Sequence, residues 1–176
     1  RLANTTFSSF GDFVKVGELS SVLLLPANAS RQDGKARANH LQVIGVDDQP
    51  ALFADGTNLL ADLPDGKVVV NEALATQLHL KKGDTFLLRV RKPSALSQEV
   101  AVSSKTHDSV AFRLNVLAIA PRSSLADFSL VTGSARPMNA FVNLRALQQS
   151  LQLGNEANVL LLGDVHWAVP AQNAGV

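Results

Sequence analysis

The most legible pattern in the chain lies between Lys67 and Arg91. Val68-Val69-Val70 is a β-branched run of strand length, and Asn71 after it is a residue type favoured at helix N-termini. Glu72 falls in the first helical turn, where its charge meets the positive end of the helix dipole. Leu74 and Leu78, four apart, give that short helix one apolar face. His79 is expected to stop it in the left-handed conformation, with Leu80 folding back as the apolar contact that accompanies such a stop. Lys81-Lys82-Gly83-Asp84 then makes a tight turn, and Phe86, Leu88 and Val90 alternate with Thr85, Leu87, Arg89 and Arg91 in a second strand.

The same reading extends along the rest of the chain. Phe7, Phe10, Phe13 and Val14 fit one side of a lead-in helix. Ser21 to Leu25, closed by Pro26, and His40 to Val46 read as two strands of a hairpin with a long or ragged tip, turned at Asp33-Gly34. Asp47 to Gly66, with its aspartates, glycines and prolines, reads as a loop. Lys92 to Asp108 reads as a polar insertion, Ala111 to Ala120 as an alternating strand, and Arg122 to Pro137 as irregular chain around Phe128 to Val131. Asn139 to Val142 is a further strand. Leu144, Leu147, Leu151 and Leu153 form the apolar face of a helix stopped by Gly154, and Asn158 to Leu162 is the last buried strand. No internal repeat is apparent. These elements predict an α+β fold, a mixed sheet with a few short helices. Residues 1–163 form one domain, which the insertions near 92–108 and 122–137 allow to divide into two subdomains, and 164–176 reads as a tail or linker.

Composition narrows the functions open to such a domain. The 176 residues carry 16 Lys and Arg against 15 Asp and Glu, a net charge of +1, which gives no electrostatic case for a nucleic-acid or anionic-membrane binder. Hydrophobic residues make up 46%, yet every apolar run is of strand length, far short of the roughly 18 residues of a membrane span. The absence of cysteine excludes disulfides, thiolate metal sites and cysteine nucleophiles. The chain opens on Arg1 and its one methionine is Met138, from which a fragment or processed product is expected.

Candidate chemistry is sparse. His40, His79, His107 and His166 stand apart in sequence without a metal-ligand spacing, and His107-Asp108 are neighbours that point apart in a strand. No serine lies in a nucleophile elbow, and the pairs at 8–9, 20–21, 103–104 and 123–124 suit turns and caps. Asp47, Asp48, Asp55, Asp62 and Asp65 match no calcium loop, and the glycines form no phosphate cradle. Lys81-Lys82 suits a helix C-terminus. Asn4-Thr5-Thr6 and Asn28-Ala29-Ser30 match the glycosylation pattern, one too short to carry weight. The expectation is no catalytic residue, no cofactor and no metal: a chain that is not an enzyme.

Several of these segments, taken in order, resemble the extracytoplasmic domains of MacB/FtsX-type ABC transporter permeases. The run Val68-Val69-Val70-Asn71-Glu72-Ala73-Leu74-Ala75, followed by Leu78, Leu80, Lys82-Gly83-Asp84 and Phe86-Leu87-Leu88, resembles the family's strand, Asn-Glu helix, Gly-Asp turn and strand. Asn39 to Asp48, Asn139 to Gln148 and Asn155 to Leu162 resemble its Gly-Val-Asp strand, its late strand with a leucine-glutamine helix, and the strand after it. Where the family usually has Gly between two leucines, this chain has His79. The resemblance implies a MacB-like periplasmic core and a non-catalytic role, moved mechanically by ATP hydrolysis in a cytosolic ABC ATPase. It implies placement on the extracytoplasmic, periplasmic side of the membrane between the protein's own transmembrane helices, with 164–176 leading toward a span. Its implied partners are those helices, the ATPase, and a second permease copy, a periplasmic adaptor or a lipoprotein, with no nucleic acid. The Lys-Gly-Asp combination also occurs in swapped-hairpin and double-psi barrels, so a barrel-like ligand- or nucleic-acid-binding module is the alternative. Recognition is expected on the Lys92 to Asp108 and Arg122 to Pro137 insertions.

Overall fold

The computed structural model of the chain describes residues 14–16, 19–47, 60, 63–93, 109–124, 126–130, 136–162 and 165–167. The strands are β1 (Val14–Val16), β2 (Leu19–Arg31), β3 (Arg37–Val46), β4 (Lys67–Asn71), β5 (Thr85–Arg91), β6 (Ser109–Ala120), β7 (Asn139–Asn143), β8 (Val159–Leu162) and β9 (Val165–Trp167). Two helices, α1 (Glu72–Leu78) and α2 (Leu144–Leu151), follow β4 and β7 directly, and Arg122–Ser124 forms a 3-10 turn. Six strands close on themselves in the order β3-β7-β4-β6-β5-β2, because β2 pairs with β3 as well as with β5. Closure removes the free edges that an open sheet would expose. β8 lies outside the ring on the first residues of β2, and beyond it β1 pairs with β9 in a separate ribbon.

This closed barrel overturns the α+β, MacB-like expectation. About half of the described residues are strand, and helices of seven and eight residues are too short to form a layer of their own. Their apolar sides instead enter the barrel's core: Leu74 and Leu78 from α1, and Leu147 and Leu151 from α2, join Leu25, Val43, Phe86, Leu88 and Val116 in one buried cluster. β4 and β7 run antiparallel, so the two helices leave that wall at opposite ends.

The barrel is also doubled. Its first half runs β2-β3-β4-α1 and its second β5-β6-β7-α2, each a hairpin followed by a strand and a helix. β4 and β7 meet at Val69↔Phe141, the middle residue of each strand, and β2 and β5 meet about Ala29↔Leu88, the middle of their ladder. The parallel ladders β6–β4 and β3–β7 end equivalently, at Ala120↔Asn71 and Val46↔Asn143. Both helices are capped alike. The Asn71 and Asn143 side chains accept from the third residue onward, and both helices stop at a left-handed residue, His79 (φ 51°) and Gln152 (φ 59°). The next residue closes each stop, with Leu80 N–H donating to the Ala75 carbonyl and Leu153 N–H to that of Gln148. An internal repeat therefore exists where the sequence pattern suggested none. Its two copies share little beyond an Asn and a Leu-x-Leu.

The expected strand, helix, turn and strand between Lys67 and Arg91 form where the pattern placed them. The hairpin tip is shorter than expected, since β2 runs on to Arg31 and Gly34 (φ 71°) turns the chain within a few residues. The α2 stop falls at Gln152 rather than Gly154, which adopts its own positive φ of 61° in the following turn. β9 forms within the stretch read as a tail. The lead-in helix, apart from Val14 in β1, and most of the 48–62 and 94–108 loops lie outside the described residues.

Candidate functional site

The two walls of the barrel differ in what covers their outer faces. On the β3-β7-β4 side, Ile44, Phe141 and Val69 face a second buried cluster built with Leu60, Leu63 and Ala126 from the connecting segments. Burial on both faces explains why Val68-Val69-Val70 is an unbroken apolar run, each residue fully inaccessible. The β2-β5-β6 side is wet. β5 alternates between buried Phe86, Leu88 and Val90 and more open Leu87, Arg89 and Arg91, so its outward positions are free to carry charge.

Those positions line a groove of roughly 650 Å³ floored by Asn28, Ser30 and Leu87 and flanked by Arg37, Arg89 and Arg113. The register places them together: Ser30 pairs with both Arg37 and Leu87, and Leu87 pairs with Arg113. Arg89, opposite Asn28 and Ala111, is the diagonal neighbour of Arg113, at a separation of roughly 7–8 Å. From Arg37 to Arg113 the row crosses three inter-strand spacings, roughly 14 Å. Among the described residues no aspartate or glutamate lines the groove. Arg31, at its end, pairs with Asp33 at 3.2 Å and donates to the His79 carbonyl at 2.8 Å. Arg37, Arg89 and Arg113 form no salt bridge among the described residues. Such a row can bind anions through paired guanidinium hydrogen bonds.

The sequence signal for this site was faint. The outward arginines of β5 and β6 sit at alternating positions, but only the long-range pairing of β2 with β3 and β5 gathers Arg37 onto the same face.

The residues weighed in sequence stay apart. Exposed His40 sits at a bulge between β2 and β3 with φ 61°, exposed His79 caps α1, and His166 belongs to β9. His107-Asp108 lies outside the described residues, as do Asp48, Asp55 and Asp62. Among the described residues no three His, Cys, Asp or Glu side chains gather as a metal site would require. Lys81 and Lys82 are exposed on the turn after α1, and Asn28 of the glycosylation pattern is exposed in mid-strand. Ser20 is buried, with its hydroxyl lacking a partner among the described residues, and Ser124 donates to the Pro121 carbonyl at 2.7 Å.

The Arg122 to Pro137 insertion is in part fastened down rather than free for recognition. Asn71 Nδ2 donates to Asp127 at 2.9 Å and to the Pro137 carbonyl at 2.8 Å. Asn139 Nδ2 donates to the Ala126 and Phe128 carbonyls, both at 2.8 Å. Arg122 and Arg136 approach Asp127 at 3.9 and 4.0 Å from the solvent side. Both asparagines are fully buried, so this network fixes the segment against the barrel. No protein-family model matches the chain, and no curated protein matches it in sequence.

Proposed function

We propose that this chain is a non-catalytic extracytoplasmic domain of an ABC transporter permease, coupling ATP hydrolysis by a cytosolic partner to substrate or partner handling outside the membrane. The reading begins from the ordered resemblance at Asn39 to Asp48, Val68 to Leu88, Asn139 to Gln148 and Asn155 to Leu162. The observation that carries it is the ribbon: β1 and β9 run antiparallel with Lys15 opposite His166, so the entering and leaving chain lie side by side. Adjacent entry and exit suit a domain inserted between consecutive membrane spans. A closed barrel also suits a mechanical role, because its strands have few free edges to shear. In this reading the domain sits on the periplasmic side, joined to its own transmembrane helices, with the ATPase, a second permease copy, and an adaptor or lipoprotein as partners.

The test is made on the full-length gene product. Hydrophobic spans on both sides of residues 1–176, and co-purification from detergent-solubilised membranes with a P-loop ATPase, are the expected results. A product without such spans, recovered from the soluble fraction, overturns the reading. The binding-module alternative draws on the closed barrel and its arginine groove; tight ligand or nucleic-acid binding by a chain without neighbouring spans favours it.

A further inference from the structure

We infer that the groove lined by Arg37, Arg89 and Arg113 is a docking site for an acidic, extended segment of a partner protein. The three arginines line one solvent-facing patch with no carboxylate among its described lining residues, although the whole chain is nearly neutral. Like charges gathered on one patch repel each other, so the row stands ready for an anionic partner that relieves that repulsion. Planar guanidinium matches carboxylate in a bidentate geometry, and Ser30, Asn28 and the half-buried Leu87 between the arginines offer hydrogen bonds and an apolar strip to a peptide backbone and its side chains.

Other polyanions fit the groove less well. Single-stranded nucleic acid is held by exposed aromatic rings on which bases stack, and the one aromatic residue of this lining, Phe86, is fully buried. A lipid surface fits poorly if the chain is a permease domain, and here the inference rests on that reading. The ribbon and β8 lie at the Leu19 end of β2, whereas the groove lies at its Ser30 end, up to roughly 35 Å along the strand. The arginines would then face away from the bilayer, toward a protein.

The test uses this chain and a short alternating Glu-Ala peptide. Amide shift changes on titration are expected at Ser30, Leu87, Arg89 and Arg113, fading as salt is raised. The double change Arg89→Glu with Arg113→Glu is expected to weaken binding by about tenfold or more. Arg89→Gln with Arg113→Gln is expected to weaken it less, and Arg145→Glu, at an exposed position of α2, to leave it unchanged. No shifts at those amides, or equal peptide binding by the charge-reversed protein, overturns the inference. Tighter binding of oligothymidine or of phosphatidylglycerol vesicles at the same positions also overturns it, by assigning the groove to nucleic acid or lipid. Because the assay needs no membrane protein, its failure is separate from any failure to find spans or an ATPase.

Discussion

Asn71 and Asn143 hold equivalent places in the doubled barrel but carry different loads. Each accepts a backbone N–H of its helix, from Leu74 at 3.1 Å and from Ala146 at 3.0 Å. Asn143 adds one donation, to the Leu63 carbonyl at 3.1 Å. Asn71 is fully buried and also receives the Asn139 N–H at 3.1 Å while it holds Asp127 and Pro137. Replacing it leaves several buried groups unpaired, so Asn71→Ala is expected to cost about 3 kcal/mol and Asn143→Ala about 1 kcal/mol, measured by denaturant unfolding. Equal losses would show that capping alone matters at both. At the other end of α1, His79 holds a left-handed backbone (φ 51°) with its side chain exposed. Glycine relieves that conformation without removing a buried contact, so His79→Gly is expected to stabilise the protein by about 0.5–1 kcal/mol. A lowered unfolding midpoint would mean the imidazole makes a contact worth more than the backbone relief.

At the scale of elements, α2 packs closely against β3. A Cβ on Gly45 of β3 would come within 3.0 Å of Leu147 Cδ2 and 3.1 Å of Leu144 Cδ1. Gly45→Val is expected to push α2 outward and cost about 1–3 kcal/mol, seen as a fall in unfolding midpoint. The ribbon offers a cleaner test, because the chain has no cysteine of its own. Lys15→Cys with His166→Cys is expected to form a disulfide under mild oxidation, detected by a mobility shift that reduction reverses, since opposed antiparallel residues bring their Cα atoms to about 4.5–5.5 Å. Free thiols after oxidation would place the two chain ends apart. How legible each element was follows from where its information lies. β4, α1 and β5 were readable because N-cap, helix stop and turn are local chemistry, packed into one continuous stretch. Barrel closure was not, because it rests on β2 pairing with both β3 and β5, and strand periodicity names no partner. The arginine groove was hidden for the same reason: alternation shows which residues of β5 face outward but not that β3 and β6 bring theirs alongside.

At the scale of the whole molecule, burial is uneven, and that unevenness bears on a mechanical role. β4 and β7 form the doubly covered wall, with Val68, Val69, Val70 and Ala140 fully inaccessible. Among the described residues β8 pairs with β2 alone and exposes 56% of Leu160, though Val159 and Leu161 pack on the second cluster, and β1 and β9 pair only with each other. Under the proposed permease role, a body that transmits force from a membrane needs a stiff part that moves as one piece and a softer joint, and this distribution is consistent with that proposal. Opening of a segment costs less where fewer apolar contacts break, so amide exchange reports the contrast directly. Under native conditions, the amides of Val69, Val70, Ala140 and Phe141 are expected to exchange last, near the rate of global unfolding. Those of β8 and β9 are expected to exchange orders of magnitude sooner, and the disulfide of the Lys15→Cys, His166→Cys variant to slow them while leaving the β4–β7 wall unchanged. Uniform slow exchange across ribbon and barrel would make the chain a single rigid body to its ends. That result would count against the proposed role as far as it needs a soft joint within this chain.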